Sequence, residues 1–232
     1  MPPLNSGVDA STNCASIAGQ LQASGRKFIC RYYANSGKKR LRADEAKILS
    51  AAGLTIVVVW EDGFPTSAGY FSHAKGVDDG TSAYHDALSL GQPKGSAIYF
   101  AVDFDAPATD ITGVISDYFR GIADGFSTIS QGNPNYLIGV YGSGSTCSSL
   151  LDQDLARYSW MAMSSGWQGH DFARWNIKQK PGKSLKSVSL DYDDAVDDYG
   201  GFVLSGDQRT CTACTLAVLL IDSQDSGRSR LL

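Results

Sequence analysis

The stretch Ser96-Ala97-Ile98-Tyr99-Phe100-Ala101-Val102-Asp103-Phe104-Asp105 decides the fold. A short, unbroken apolar run that ends in acids reads as a strand buried on both faces, not as half of an exposed hairpin. Thr55-Ile56-Val57-Val58-Val59-Trp60, followed by Glu61-Asp62, repeats the pattern. Working outward, strands are predicted at Ser6–Ala10, Lys27–Tyr33, Leu54–Glu61, Ser96–Phe104, Tyr136–Tyr141, Tyr158–Met163, Ala173–Gln179 and Ser187–Asp191.

Helical patterns lie between the early strands. Cys14–Ala23 stops before Gly25 and Ala43–Ala52 stops at Gly53, where a helix end favours glycine. Residues 81–90 form a third pattern. The longest carries Ile111, Val114, Ile115, Tyr118, Ile122, Phe126 and Ile129 at helical spacing, with Thr109 as the expected N-cap. A short one covers Ser143–Leu151. This alternation predicts an α/β fold, a TIM-like barrel. Met163 to Ala173 and Gln179 to Ser187 are too short for helical crossovers. The expectation is therefore about five βα units, with irregular, helix-poor connections among the last three strands. A doubly wound open sheet is the alternative, disfavoured because no Gly-rich loop follows the first strand. Residues 1–204 read as the barrel domain and 205–232 as a C-terminal appendage of different character.

The 232 residues are 43% hydrophobic and 19% charged, an ordinary globular composition with a formal net charge of −4. That balance argues against nucleic-acid binding over the whole surface, and no apolar run approaches a membrane span. The chain opens Met1-Pro2-Pro3-Leu4-Asn5, without the basic and apolar regions of a signal peptide. Five cysteines (Cys14, Cys30, Cys147, Cys211 and Cys214) imply no complete disulfide framework, and Cys211-Thr-Ala-Cys214 is a lone C-x-x-C, a weak zinc or redox signal.

Acids sit at the strand ends: Asp9, then Glu61 and Asp62, then Asp103 and Asp105, then Asp191 and Asp193. In a βα barrel the C-terminal strand ends form the active-site face. Asp103 and Asp105, two apart on a strand, are expected to point into one cavity. Neighbouring carboxyls separate their pKa values, leaving one protonated as an acid and one ionised, the division of labour that glycoside cleavage needs. Asp-x-Asp also suits a divalent metal when phosphate completes the shell. His73, His85 and His170 form no spaced pair for zinc, and Tyr141-Gly-Ser143-Gly-Ser145 is not a nucleophile elbow. Trp60, Tyr99, Tyr141, Trp160 and Trp175 lie in or beside strands, where sugar rings find stacking faces. Lys38-Lys39-Arg40, with Arg42, reads as a solvated loop or a contact for an anionic polymer.

Several segments recur in order: Gly7-Val8-Asp9, Phe28-Ile29-Cys30-Arg31-Tyr32-Tyr33, Glu45-Ala46 through Ala52-Gly53-Leu54, Pro93 through Asp105, Gly139-Val140-Tyr141-Gly142-Ser143, and Leu190-Asp191. Over residues 6–204 the chain resembles a glycoside-hydrolase-like TIM-barrel family, formerly a domain of unknown function and distantly related to the family 25 (Chalaropsis-type) lysozymes. The resemblance implies a five-helix barrel, a site at the strand C-termini and an extracellular or cell-wall location. It maps the lysozymes' catalytic acids onto Asp103, Asp105, Asp9 and Asp191. Glu61, Arg31, Tyr99, Tyr141, Trp160 and Gln179 are the expected substrate-binding residues. The implied partner is a peptidoglycan-like polysaccharide met by a monomer, with no cofactor and no metal. Asp105 departs from the pattern, since the lysozymes carry glutamate there. A carboxylate set back by about 1 Å can lose on the order of a hundredfold in rate. Either substrate sits deeper, or Glu61 supplies the acid, or only glycan binding remains. Arg42 also departs, standing where a capping Ser or Thr would precede Glu45. Three functions stay open: a glycoside hydrolase acting on an N-acetylated cell-wall polymer, a non-catalytic wall-binding module, and a metal-dependent sugar-phosphate enzyme.

Overall fold

The computed structural model describes residues 4–35 and 37–205. The Cys211–Cys214 pair and nearly all of the expected appendage lie outside these residues. Eight strands form a closed barrel in sequential order. They are β1 (Asn5–Asp9), β2 (Phe28–Tyr33), β3 (Thr55–Trp60), β4 (Ala97–Ala101), β5 (Leu137–Gly142), β6 (Tyr158–Met161), β7 (Ile177–Lys180) and β8 (Asp191–Ala195). Closure overturns the open-sheet alternative.

Helices follow each of the first five strands: α1 (Ala18–Ala23), α2 (Ala43–Ala51), α3 (His73–Leu90), α4 (Ala108–Asp110) running through a π turn into α5 (Ser116–Ser130), and α6 (Gly144–Asp152). The third helix starts well before residue 81, capped by the Ser72 hydroxyl, which accepts from the Lys75 N–H at 3.2 Å. Thr109 is not an N-cap; it lies inside α4, which opens directly after Pro107. Arg42 precedes α2 without a side-chain cap, because a guanidinium has no acceptor, and Glu45 turns inward to Arg31.

The last two strands depart from prediction. β7 starts four residues later than expected, and β8 begins where the predicted strand ends. β8 runs antiparallel to both β7 and β1. The cause is length: a short connection cannot carry a parallel crossover but readily closes an antiparallel hairpin. Asp191 therefore opens β8 instead of closing it, and the reversal still brings it to the rim where β1 ends, opposite Asp9 in register.

Alternation divides the side chains into two cores. Ile29, Ile56, Val58, Ile98, Phe100 and Val140 pack outward against the helices. Phe28, Cys30, Val57, Tyr99, Trp160 and Ile177 fill the barrel. Large and small residues oppose one another there: a Cβ on Gly139 would sit 2.6 Å from the Tyr99 ring, and one on Gly7 2.4 Å from Phe28. Tyr199 closes the far end, its ring 4.9 Å from Phe28 and its carbonyl accepting from the Tyr99 hydroxyl at 2.9 Å. Cys14, Cys30 and Cys147 are free and buried.

The tightest helix contact joins α3 and α5 through glycines at i and i+4 on each. A Cβ on Gly76 would lie 2.0 Å from the Tyr118 carbonyl oxygen, and one on Gly121 2.1 Å from that of His73. No side chain fits between the two backbones. Helix propensity alone favours Ala over Gly by roughly 0.5–1 kcal/mol. We predict the opposite sign at this contact. Gly121→Ala should destabilise by about 1–3 kcal/mol or more through overpacking. Gly19→Ala in α1, with nothing within 4 Å, should be neutral or stabilising; urea melts of the two variants check the contrast.

Candidate functional site

Strand ends place the acids. Asp9 is the last residue of β1, Glu61 the first after β3, Asp103 the second after β4 and Asp191 the first of β8. Together with Tyr32, Val59, Tyr141, Trp160 and Gln179 they line a cavity of about 230 Å³ at this rim. That is smaller than the roughly 300 Å³ at which drug-sized sites begin, so it suits one ring-sized group.

Asp9 is the deepest acid that lines the cavity. Its Oδ2 accepts from Gln179 Nε2 at 2.8 Å. Gln179 is itself oriented, its Oε1 accepting from the Tyr141 hydroxyl at 3.2 Å and from the Met163 N–H at 3.3 Å. Burial pushes the Asp9 carboxyl up to about 6; the Gln179 bond resists the rise and the nearby Asp191 charge adds to it. Asp193, two residues along β8 on the same face, is fully buried. Its Oδ1 accepts from Trp160 Nε1 at 3.0 Å, while its Oδ2 meets no hydrogen-bond partner. Burial and then the charge of Asp9 drive its carboxyl well above the usual range.

The opposite wall is more open. Asp103 donates its backbone N–H to the Pro65 carbonyl at 2.9 Å. Its carboxyl is raised by burial and by Glu61, with Lys39 acting against them. Lys39 Nζ pairs with Glu61 Oε1 at 2.9 Å and sits 5.3 Å from the centre of the Tyr32 ring. Its neighbours Lys38 and Arg40, with Arg42, Thr12, Asn13 and Ser16, line a separate open groove of about 670 Å³ on the same face.

Three predicted site residues lie elsewhere. Asp105 does not line the cavity with Asp103, because β4 ends at Ala101 and strand alternation no longer applies. Its Oδ1 accepts from the Gln168 N–H at 2.8 Å, tying the β6–β7 connection to the β4 loop. Arg31 faces outward, 0% exposed, where its Nε and Nη2 grip both oxygens of Glu45 at 2.7 and 3.1 Å. Tyr99 is inside the barrel but below the cavity, bonded to Tyr199. Of the other aromatics, Trp60 packs outward under the helices. Tyr32 and Val59 are absent from the expected site, and Asp193 and Lys39, noted there as a strand-end acid and a basic loop residue, carry no expected role in the cavity. Tyr32 shares a strand face with Phe28 and Cys30, and that alternation was the available signal.

A buried carboxyl whose pKa rises on folding binds its proton more tightly in the native state, so stability falls as pH climbs through the interval between the two values. For Asp9 that interval runs from about 4 to about 6. Asp9→Asn keeps an acceptor for Gln179 and removes the titration. Its melting temperature relative to wild type should rise between pH 4 and pH 6.5; thermal melts showing a constant difference would contradict the assignment.

Residues 19–203 match the family model described as Rv2525c-like, glycoside hydrolase-like domain. The uncharacterized protein YbfG of Bacillus subtilis (strain 168) is 38% identical over 129 residues, which are 54% of this chain and 18% of YbfG. The chain thus spans under a fifth of that relative, and the match to FadG of the same organism covers 27% of FadG. Among solved structures, the Tat-secreted Rv2525c of Mycobacterium tuberculosis superposes with a TM-score of 0.72 at 20% identity, over 86% of this chain and 99% of that one. The modular autolysin LytC of Streptococcus pneumoniae gives 0.55 at 12% identity, over 82% of this chain and 47% of LytC. At these identities the structural likenesses speak to fold, and the family match, over most of the chain, settles membership: the chain belongs to the Rv2525c-like, glycoside hydrolase-like domain family.

Proposed function

We propose that this domain takes one sugar unit of an N-acetylated cell-wall polysaccharide into the acid cavity and cleaves its glycosidic bond there. The observation that carries the reading is the convergence of Asp9, Glu61, Asp103 and Asp191, from four different strand ends, on one small cavity walled by Tyr32, Tyr141 and Trp160. Glycoside cleavage needs a proton donor and an ionised carboxylate close to the same bond. Asp9, raised to about 6, supplies the first near neutral pH. Asp103, restrained by Lys39 from rising further, supplies the second, facing the positive charge of the transition state or orienting an acetamido group. Burial, with the charge of Asp191 added, raises Asp9, and Gln179 aims it. Asp105 holds the rim through Gln168 instead of donating a proton.

The neighbours support the substrate class. LytC was solved with a synthetic peptidoglycan ligand, and Rv2525c is a Tat-secreted protein solved with L-tartrate, a hydroxylated dicarboxylate. The groove lined by Lys38, Arg40 and Arg42 suits the carboxylates or phosphates that bacterial walls carry. Action outside the cell, as a monomer on a wall polymer, belongs to the same proposal. The sugar-phosphate alternative calls on Asp103 and Asp105 together, and of the two only Asp103 lines the cavity.

A second reading, glycan binding without cleavage, draws on one observation: the position where the lysozymes carry glutamate holds Asp105, which sits outside the cavity. Purified sacculi separate the two. Catalysis predicts soluble muropeptides from wild type and a loss on the order of a hundredfold or more in Asp103→Asn and Asp9→Asn, while Asp105→Asn stays within a few-fold. The rate should fall as pH rises past about 6, as Asp9 loses its proton. Sedimentation with sacculi but no release at any pH would leave the binding module as the function.

A further inference from the structure

On the rim beside the acid cavity, Phe64 sits where neither its side chain nor its backbone is favoured. It is 84% exposed, the most exposed of the large apolar side chains among the described residues. Its φ is 63°, in the left-handed region that a bulky residue rarely enters. Gly63 before it is left-handed too, at 76°. The segment is held at several points. Asp62 takes two hydrogen bonds from Asn35, at 2.8 and 3.3 Å, and its carbonyl accepts from the Tyr70 hydroxyl at 2.7 Å. The Phe64 carbonyl accepts from the Thr66 N–H at 2.7 Å, and the Pro65 carbonyl from that of Asp103 at 2.9 Å.

The loop therefore starts at one cavity acid, Glu61, and is pinned to the backbone of another, Asp103. Between them it presents a phenyl ring to solvent. Stability has no use for this: glycine would relieve the backbone and a polar residue would relieve the exposure. The nearby rim aromatic Phe104 behaves differently, stacked 6.0 Å from Phe71. Strain at an exposed aromatic beside a cavity points to a ligand.

We propose that Phe64 is an aromatic platform that stacks on the apolar face of a sugar ring adjoining the one in the cavity, making a two-ring cleft out of a one-ring cavity. This rests on the glycan reading above and adds a subsite to it. An aromatic face contributes through contact area and ring electrostatics, so other aromatics should substitute for it and alanine should not.

The test measures binding of a β-1,4-linked N-acetylglucosamine tetramer and of purified sacculi to wild type, Phe64→Ala, Phe64→Trp and Phe64→Gly, with a thermal melt of each. Phe64→Ala should weaken binding about threefold to tenfold, and Phe64→Trp should restore it. Phe64→Gly should bind as poorly as the alanine variant yet melt roughly 1–3 °C higher, because the left-handed strain is gone. A platform used only for packing would lower the melting temperature of Phe64→Gly, and that result overturns the proposal. So does wild-type affinity in Phe64→Ala. If wild type binds neither probe, the glycan reading itself falls, an outcome distinct from either of these.

Discussion

A carboxylate moved from water into a protein interior loses solvation that only a partner charge, a hydrogen bond or a proton restores. The upper end of this barrel is built against that constraint. Beneath the cavity lie apolar and aromatic layers that back Asp9 and Asp193. Among the described residues the one cation paired at the cavity is Lys39, and its partner is Glu61 on the outer wall. The two deepest acids are left with amide, indole and a proton as compensation. The graded response follows: Asp193 is driven well above the usual range, Asp9 up to about 6, and the half-buried Asp103 upward in a more open setting. The gradient is one of depth, set by which layer each residue occupies.

The Arg31–Glu45 pair shows what the same barrel does with charges that serve structure. Arg31 follows Cys30 and precedes Tyr32, both of which point inward, so alternation turns it out toward α2. There Glu45 meets it with both oxygens and also accepts from the Cys14 N–H at 2.8 Å. A further Arg31 nitrogen donates to the Ala10 carbonyl. One bidentate contact thus joins β2, α2 and the loop after β1, the loop that leads away from Asp9. Removing either partner would strand a buried charge, so this pair is structural in spite of its chemistry. A one-residue shift of register would exchange Arg31 and Tyr32 between core and cavity, which is why the pair also fixes the register of β2.

How much of this was legible in the residues depended on which force dominated locally. The apolar runs of β3 and β4 announced strands buried on both faces, and glycines after α1 and α2 marked their ends. The five helical crossovers follow from helical spacing and glycine stops, and the helix-poor late connections from length. Strand ends and alternation bring Asp103, Glu61, Tyr141, Trp160 and Gln179 to one cavity. Arg31 and Tyr99 lie away from it, on a face and in a layer that register sets. Asp105 lies away from it because β4, and with it the alternation, stops at Ala101. The α3–α5 glycines gave no periodic signal, since what they provide is the absence of a side chain.

The reversal of β8 departs furthest from the expected parallel strand, and Asp191 still meets Asp9 at one rim. The sequence Asp191-Tyr-Asp-Asp-Ala195 has poor strand propensity, and a parallel eighth strand ending at Asp191 looked more natural. In a parallel β8 with its observed residues, Asp191 would open the strand at the far end of the barrel, away from Asp9. Only ten residues separate β7 from β8, and that length enforces the antiparallel turn. The turn then sets Asp191 opposite Asp9 and sends Asp193 beneath it to Trp160. A strand otherwise too acidic to be a good strand thus brings Asp191 to Asp9, where its charge adds to the burial that raises the Asp9 carboxyl. Its low propensity and its role have one cause, the carboxyls it carries into the barrel.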